Sequence, residues 1–188
     1  IIKHLLESFV CSDIEYSILE VSLEGVDEFH KIVNESVTVT DDTVQRVFIH
    51  LGVSGIATCF HLEEYAYNNK NFRVPDENGN QPINCNITAS DTNIDTSLRT
   101  ALPLASMKQE LDALGHETFI SDDPGRFLCN YVHYQSLSLC NGLRCTHVQI
   151  TNPDPNPSTS LFVHVPSVDV IPLEKQVEFV KDLLKLIK

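Results

Sequence analysis

SDDPGRFLCNYVHYQ, Ser121 to Gln135, is the stretch around which the rest of the chain is arranged. Asp122, Asp123, Pro124 and Gly125 are turn-forming and helix-starting residues. Leu128, Val132 and Leu139 then recur at helical spacing, so a helix opens here. Cys129 falls in its first turn or two. At that position the unpaired backbone N–H groups and the positive end of the helix dipole favour an anion, and a thiol is biased toward the thiolate that attacks carbonyls. Most free cysteines are small buried apolar residues, so Cys129 does not establish catalysis by itself.

The rest of the chain offers it a base and an acid. Ser160 to Pro166 (SLFVHVP) is a short apolar run between turn residues and reads as a buried strand ending at His164 and Pro166. A histidine at the carboxyl end of such a strand points into the crevice where open α/β sheets place their sites, although a satisfied core histidine has the same sequence signature. Glu63 lies in FHLEEYAYN, and Arg73 follows ten residues on in FRVPDENGNQP. Charged residues in polar loops of that kind are ordinarily solvated.

Working outward, Val47 to Leu51 (VFIHL) predicts an apolar strand followed by Gly52-Val53-Ser54-Gly55, whose glycines let a loop backbone approach a ligand closely. Ile14 to Leu23 alternates and predicts a strand. Ile1 to Phe9, Gly25 to Val33, Pro103 to Gly115 and Leu173 to Ile187 carry apolar residues at helical spacing: Val26, Phe29, Ile32 and Val33 in the second, and Leu173, Val177, Val180, Leu184 and Ile187 in the last. Glu117 to Ile120 predicts a short strand leading into the cysteine turn. Asn68 to Thr100 is polar, with a turn at Asn78-Gly79 and short strands at most. Asn141 to Ile150 predicts an edge hairpin, and Thr151 to Ser160 (TNPDPNPSTS) an extended, solvated loop. Strands alternating with helices argue for an α/β fold, a three-layer αβα sandwich with a mainly parallel sheet, in one domain spanning residues 1–188.

Composition removes several functional classes. The 188 residues are 42% hydrophobic, enough for one core. Thirteen Lys and Arg against 26 Asp and Glu give a formal charge of −13, and the basic residues are not clustered, so nucleic acid and anionic membranes are not expected partners. No apolar run approaches the roughly 20 residues that span a bilayer, and nothing resembles a signal peptide. Six irregularly spaced cysteines form no zinc or redox motif, so Cys11, Cys59, Cys85, Cys140 and Cys145 read as reduced thiols of a cytoplasmic protein.

Four segments in one order resemble pyroglutamyl peptidase I, a family of cysteine peptidases that remove an N-terminal pyroglutamate. They are HLGVSGIAT with LEEYAYN (His50 to Asn68), FRVPDENGNQP (Phe72 to Pro82), SDDPGRFLCNYVHYQSL (Ser121 to Leu137) and LFVHVP (Leu161 to Pro166), and the likeness runs from about Val44 onward. The resemblance implies a phosphorylase/hydrolase-like fold, no metal and no organic cofactor. It also implies Cys129 as nucleophile, His164 as general base and Glu63 as the acidic third member. Arg73 then falls near the developing oxyanion. Phe127 and Leu128 line the lactam pocket, with Val74 and Asp76 of the same loop as Arg73 as further substrate-binding positions. Family members begin with an apolar strand and a Gly-Phe-rich loop, which this chain, starting at Ile1 within a helical pattern, does not show. Their absence leaves a sheet edge unpaired, which favours a homo-oligomer.

Cleavage of pyroglutamyl peptides through an acyl-enzyme is therefore the expected function. A relative that keeps the fold but binds without cleaving is the alternative. A redox-sensing thiol protein rests on Cys129 alone and has no resolving cysteine nearby in sequence.

Overall fold

The computed structural model describes residues 14–37, 46–145 and 158–187. In chain order the elements are α1 (Leu23–Val37), β1 (Val47–Ser54), β2 (Phe60–Glu63), β3 (Tyr65–Tyr67), β4 (Ser97–Arg99), α2 (Leu104–Ala113), β5 (Thr118–Ser121), α3 (Leu128–Cys145), β6 (Thr159–Pro166) and α4 (Leu173–Leu186). The main sheet has the order β1-β6-β2-β5, and β3 and β4 form a separate antiparallel ribbon. β1 runs parallel to β6 and β2 parallel to β5, whereas β2 and β6 are antiparallel. The sheet is therefore mixed but mainly parallel.

Alternation along the strands sorts this sheet into two unlike faces. Leu161, Val163 and Val165 of β6 point to one side with Phe60 and Leu62 of β2, and there they meet Leu104, Met107 and Leu111 of α2 and Phe179, Val180 and Leu183 of α4. Each such fully buried side chain stabilises the fold by about 1.5–3 kcal/mol of transfer free energy. On the other side Phe162 packs with Val26 of α1 and with Leu128, Tyr131 and Val132 of α3. Among the described residues, two helices on each face make the three-layer α/β sandwich that the sequence pattern implies.

Helix α1 begins where the sequence supplies caps. Ser22 Oγ accepts the Gly25 N–H at 3.0 Å, and Asp76 Oδ2, reaching from a distant loop, accepts the Leu23 N–H at 2.9 Å. Both satisfy donors that the first turn leaves open, and the carboxylate also suits the helix dipole. Its buried face carries Val26 and His30, while Ile32, expected there, is exposed. Helix α4 is likewise rotated from the expected stripe, burying Gln176, Phe179, Val180 and Leu183. Gln176 Nε2 donates to the carbonyls of Pro166 and Ile171 and ties α4 to the end of β6.

Three local readings need correction. Ile14 to Leu23 is not a strand: residues 14–20 have no regular structure, Tyr16, Ile18 and Val21 are exposed, and α1 already starts at Leu23. Alternation creates a strand only where a ladder partner exists, and here the Val21 carbonyl accepts the Glu77 N–H instead. Asn141 to Cys145 is the last part of α3 rather than a hairpin; Asn141-Gly142 resembles a turn, but the cost of about 1 kcal/mol for a helical glycine does not stop a helix already anchored by Leu137 and Cys140. Thr159 and Ser160 belong to β6 rather than to a loop. The expected helix over Ile1 to Phe9, the remainder of that hairpin and residues 151–157 of the proline-containing loop lie outside the described residues.

Beneath Phe162 the same face encloses three histidines. His50 Nε2 and Ser136 Oγ share a hydrogen bond at 2.8 Å, Ser136 Oγ lies 3.5 Å from His30 Nε2, and His133 Nε2 lies 3.4 Å from the Ser160 carbonyl. Part of His50 is exposed at the sheet edge, yet its ring sits between those of Phe29 and Phe162. Burial is the main influence on all three, holding His30 and His133 down to about 4 and His50, repelled also by His133 and His30, to about 3. Their folded values lie below the ordinary 6.5, so the unfolded chain takes up protons first on acidification. Their stabilising contribution is present above pH 6.5 and is lost as pH falls toward 4. Urea-unfolding midpoints should decline over that window, and His133→Gln, which cannot titrate, should flatten the decline. An unchanged slope in the variant would contradict this account.

Candidate active site

Helix α3 aims its N-terminus at the sheet because the turn before it is rigid. Pairing of β2 with β5 ends at Ser121, whose Oγ accepts the Asp123 N–H at 3.3 Å. Asp123 Oδ1 accepts the Gly125 N–H at 3.0 Å, and Gly125 takes a φ of +76°, where a side chain would be strained. The Arg126 guanidinium covers the Tyr67 ring at 3.9 Å. Cys129 is the second residue of α3, half-buried, and its backbone N–H is among those the first turn cannot pair.

His164 and Glu63 reach this point from two neighbouring strands. In the antiparallel register His61 faces His164 and Glu63 faces Phe162, so Glu63 and His164 are diagonal neighbours on one face. Their side chains meet at 2.7 Å, His164 Nδ1 to Glu63 Oε1. With Nδ1 engaged, Nε2 is the ring nitrogen left to face the Cys129 side chain. Glu63 is 1% exposed, and its Oε2 has no hydrogen-bond partner among the described residues, so the imidazolium is the charge that offsets its burial. Burial acts most strongly on His164 and lowers its pKa. Hydrogen bonds and charge from Cys129 and Glu63 together outweigh that influence and push it up to about 9. Cys129, His164 and Glu63 thus lie together, and a thiol, an imidazole and a carboxylate so grouped can serve acyl transfer.

The other expected residues are distributed around this line. Phe127 packs edge-on against Phe72 with centroids 4.6 Å apart, beside the cysteine. Leu128 points into the core between α1 and α3. Arg73 and Val74 are exposed in the loop after Phe72. Asp76 is buried, and its two oxygens accept the N–H groups of Leu23, Asn78 and Asn80, so it organises the loop and caps α1. Among the described residues no group of three or more His, Cys, Asp or Glu side chains is placed to hold a metal ion, and no helix is long and apolar enough to cross a membrane.

A sequence model described as pyroglutamyl peptidase matches residues 26–178. The chain belongs to that family. Curated relatives include a pyrrolidone-carboxylate peptidase of Streptococcus pneumoniae, 34% identical over 89 residues, which are 47% of this chain and 40% of the relative. One from Fusobacterium nucleatum is 30% identical over 120 residues, 64% of this chain and 53% of the relative. The chain thus spans about half the length of the curated relatives it matches. A mutant pyrrolidone carboxyl peptidase from Pyrococcus furiosus superposes with a TM-score of 0.73 at 24% identity, covering 99% of this chain and 88% of that one. That likeness bears on the fold and agrees with the α/β sandwich.

Gly52, expected in a loop after a strand ending at Leu51, lies instead within β1, which continues to Ser54 in register with β6, and its missing side chain has a packing reason. Paired with His164 across β1 and β6, it leaves no room for a side chain: a Cβ there lies 2.6 Å from Phe162 Cζ and 3.5 Å from Cys129 Sγ. Gly52→Ala should therefore displace the Phe162 ring, which touches His164 with centroids 4.8 Å apart. A loss of about 1–3 kcal/mol, typical of overpacking, is expected in urea unfolding together with slower alkylation of Cys129. Unchanged stability and alkylation in this variant would contradict that geometry.

Proposed function

We propose that this chain carries the catalytic machinery of a cysteine omega-peptidase, which hydrolyses the bond after an N-terminal pyroglutamyl residue. The observation that carries the reading is the 2.7 Å contact of His164 with Glu63 beside Cys129 at the start of a helix. Because His164 is held up to about 9, its proton is in place at neutral pH for the leaving group, and the attacking form of Cys129, as of any nucleophilic cysteine, is the thiolate. The thiolate attacks the carbonyl carbon that follows the lactam ring. Unpaired N–H groups at the α3 N-terminus face the resulting oxyanion, and Arg73, by the family resemblance, supplies a cation near it. His164 gives its proton to the leaving amine as the C–N bond breaks, leaving an acyl-enzyme on Sγ. Water then attacks that thioester, His164 accepts its proton, and pyroglutamic acid and the thiolate are released.

Pyroglutamate carries no free amine, so an apolar wall with backbone hydrogen-bonding groups suits it better than a carboxylate. Phe127, backed by the buried Phe72, supplies such a wall beside Cys129, with Val74 as a secondary contributor, while Leu128, pointing into the core, supports it from behind. Asp76 acts on the substrate only by shaping the loop that carries Arg73 and Val74. A cytoplasmic location fits the thiols of Cys59, Cys85 and Cys129, which form no disulfide among the described residues.

In the full-length protein, Cys129→Ala should abolish release of a fluorogenic amine from a pyroglutamyl amide. His164→Ala should lower kcat by about 10²-fold or more, the usual worth of a positioned acid–base group. Glu63→Gln should have a smaller effect, since it keeps the shape and loses only the charge. Turnover by Cys129→Ala equal to that of the unsubstituted protein would refute the assignment. Absence of turnover in the unsubstituted full-length protein, with Cys129 still reactive, would favour a binding relative.

A further inference from the structure

Asn130, the residue after the proposed nucleophile, is 0% exposed. Its side-chain amide is spent on the main chain of a single segment. Oδ1 accepts the Tyr67 N–H at 2.8 Å, while Nδ2 donates to the Tyr67 carbonyl at 2.8 Å and to the Asn69 carbonyl at 2.9 Å. Both donors of the amide are thereby used, together with one of its acceptor sites.

That segment continues the strand bearing Glu63. Only Glu64 separates β2 from β3, Tyr67 closes β3, and the Glu64 N–H donates to the Ser121 carbonyl at 2.7 Å, where the cysteine turn begins. A closed circuit results. From Glu63 the chain leads to Tyr67, the amide of Asn130 carries it to α3, Cys129 is the preceding residue, and His164 returns from the thiol to Glu63.

We infer that Asn130 is a positioning residue for Cys129: it fixes the N-terminus of α3 against the strand that carries Glu63 and so holds Sγ at the free nitrogen of His164. This rests on the catalytic reading given above. The amide suits the task because its fork meets an N–H and two carbonyls at once. A carboxylate lacks both donors, and a leucine of similar size lacks all three bonds, taking this partner from the Tyr67 N–H and the Asn69 carbonyl, while the Tyr67 carbonyl keeps only the Asn69 N–H at 2.7 Å. The backbone bond from Asn71 N–H to the Arg126 carbonyl, at 3.0 Å, secures only the turn before α3. Without the amide, Cys129 keeps its helix start but loses the constraint that sets its distance to His164, and a shift of about 1 Å is enough to break alignment.

The test uses the full-length protein and its Asn130→Ala and Asn130→Ser variants, with Phe179→Ala as a control. Phe179 lies in the core on the opposite face of the sheet, so this control loses stability without touching the circuit. Two quantities are read below each unfolding transition: the pH profile of Cys129 alkylation by iodoacetamide, followed by mass spectrometry, and kcat and KM for a pyroglutamyl amide. Asn130→Ala should move the alkylation profile to higher pH, slow the reaction at neutral pH by about tenfold and lower kcat by at least as much, with KM little changed. Asn130→Ser, whose hydroxyl restores one bond, should fall between, and Phe179→Ala should keep the unsubstituted profile. An unshifted profile in both Asn130 variants, or an equal shift in Phe179→Ala, would overturn the inference. The alkylation profile needs no peptidase turnover, so a failure of the peptidase reading remains distinguishable from a failure of this one.

Discussion

A carboxylate can be buried at 1% exposure only if a cation or several donors come with it, and Glu63 has His164. Removing one member of such a pair leaves an uncompensated buried charge, at a typical cost of about 3–5 kcal/mol. The pair therefore constrains the fold independently of the chemistry proposed for it. It requires β2 and β6 to be neighbours, antiparallel and in one register, because a slip of one residue would send either side chain to the opposite face. The antiparallel contact inside a mainly parallel sheet is thus the feature that creates the site.

The two faces of the sheet divide the labour. One is dry and apolar, filled by α2 and α4 and closed by the stacked rings of Phe60 and Phe179. The other carries His50 and Gly52 from β1, Phe162 and His164 from β6, and His61 and Glu63 from β2, with α3 laid across them. Phe162 is the hinge of that polar face. Its ring separates His164, held charged by its partners, from His50 and His133, held neutral by burial. Protonation states that differ within one layer are thus a consequence of who touches whom, since each imidazole starts from the same ordinary value.

Much of this was legible in the sequence, for identifiable reasons. Strong periodicity announced α2, α3 and α4, and the uninterrupted apolar run of β6 announced a strand buried on both faces. The cysteine turn declares itself through Asp-Asp-Pro-Gly, and motif resemblance alone points to Cys129, His164 and Glu63. What stayed hidden depended on partners. Ile14 to Leu23 alternates like a strand yet has no ladder to join, and Phe60 to Glu63 is too short to announce β2 although it holds the acid. Asp76 looked like a loop residue open to substrate, and its use as a cap for α1 is a long-range contact that no local pattern encodes. The amide of Asn130 was equally invisible, because a buried asparagine inside a helix carries no signal until its three backbone partners are known.

The central claim is that His164 stands as imidazolium at neutral pH, held so by Cys129 and Glu63 against the effect of its burial. The most direct measurement is an NMR titration of the His164 ring nitrogens in the full-length protein, repeated in Cys129→Ala. His164 should stay protonated through neutral pH and titrate near 9, and loss of the Cys129 side chain should bring that value down. A His164 ring that is neutral at pH 7 in the unsubstituted protein, or one whose titration is indifferent to Cys129, would contradict the account.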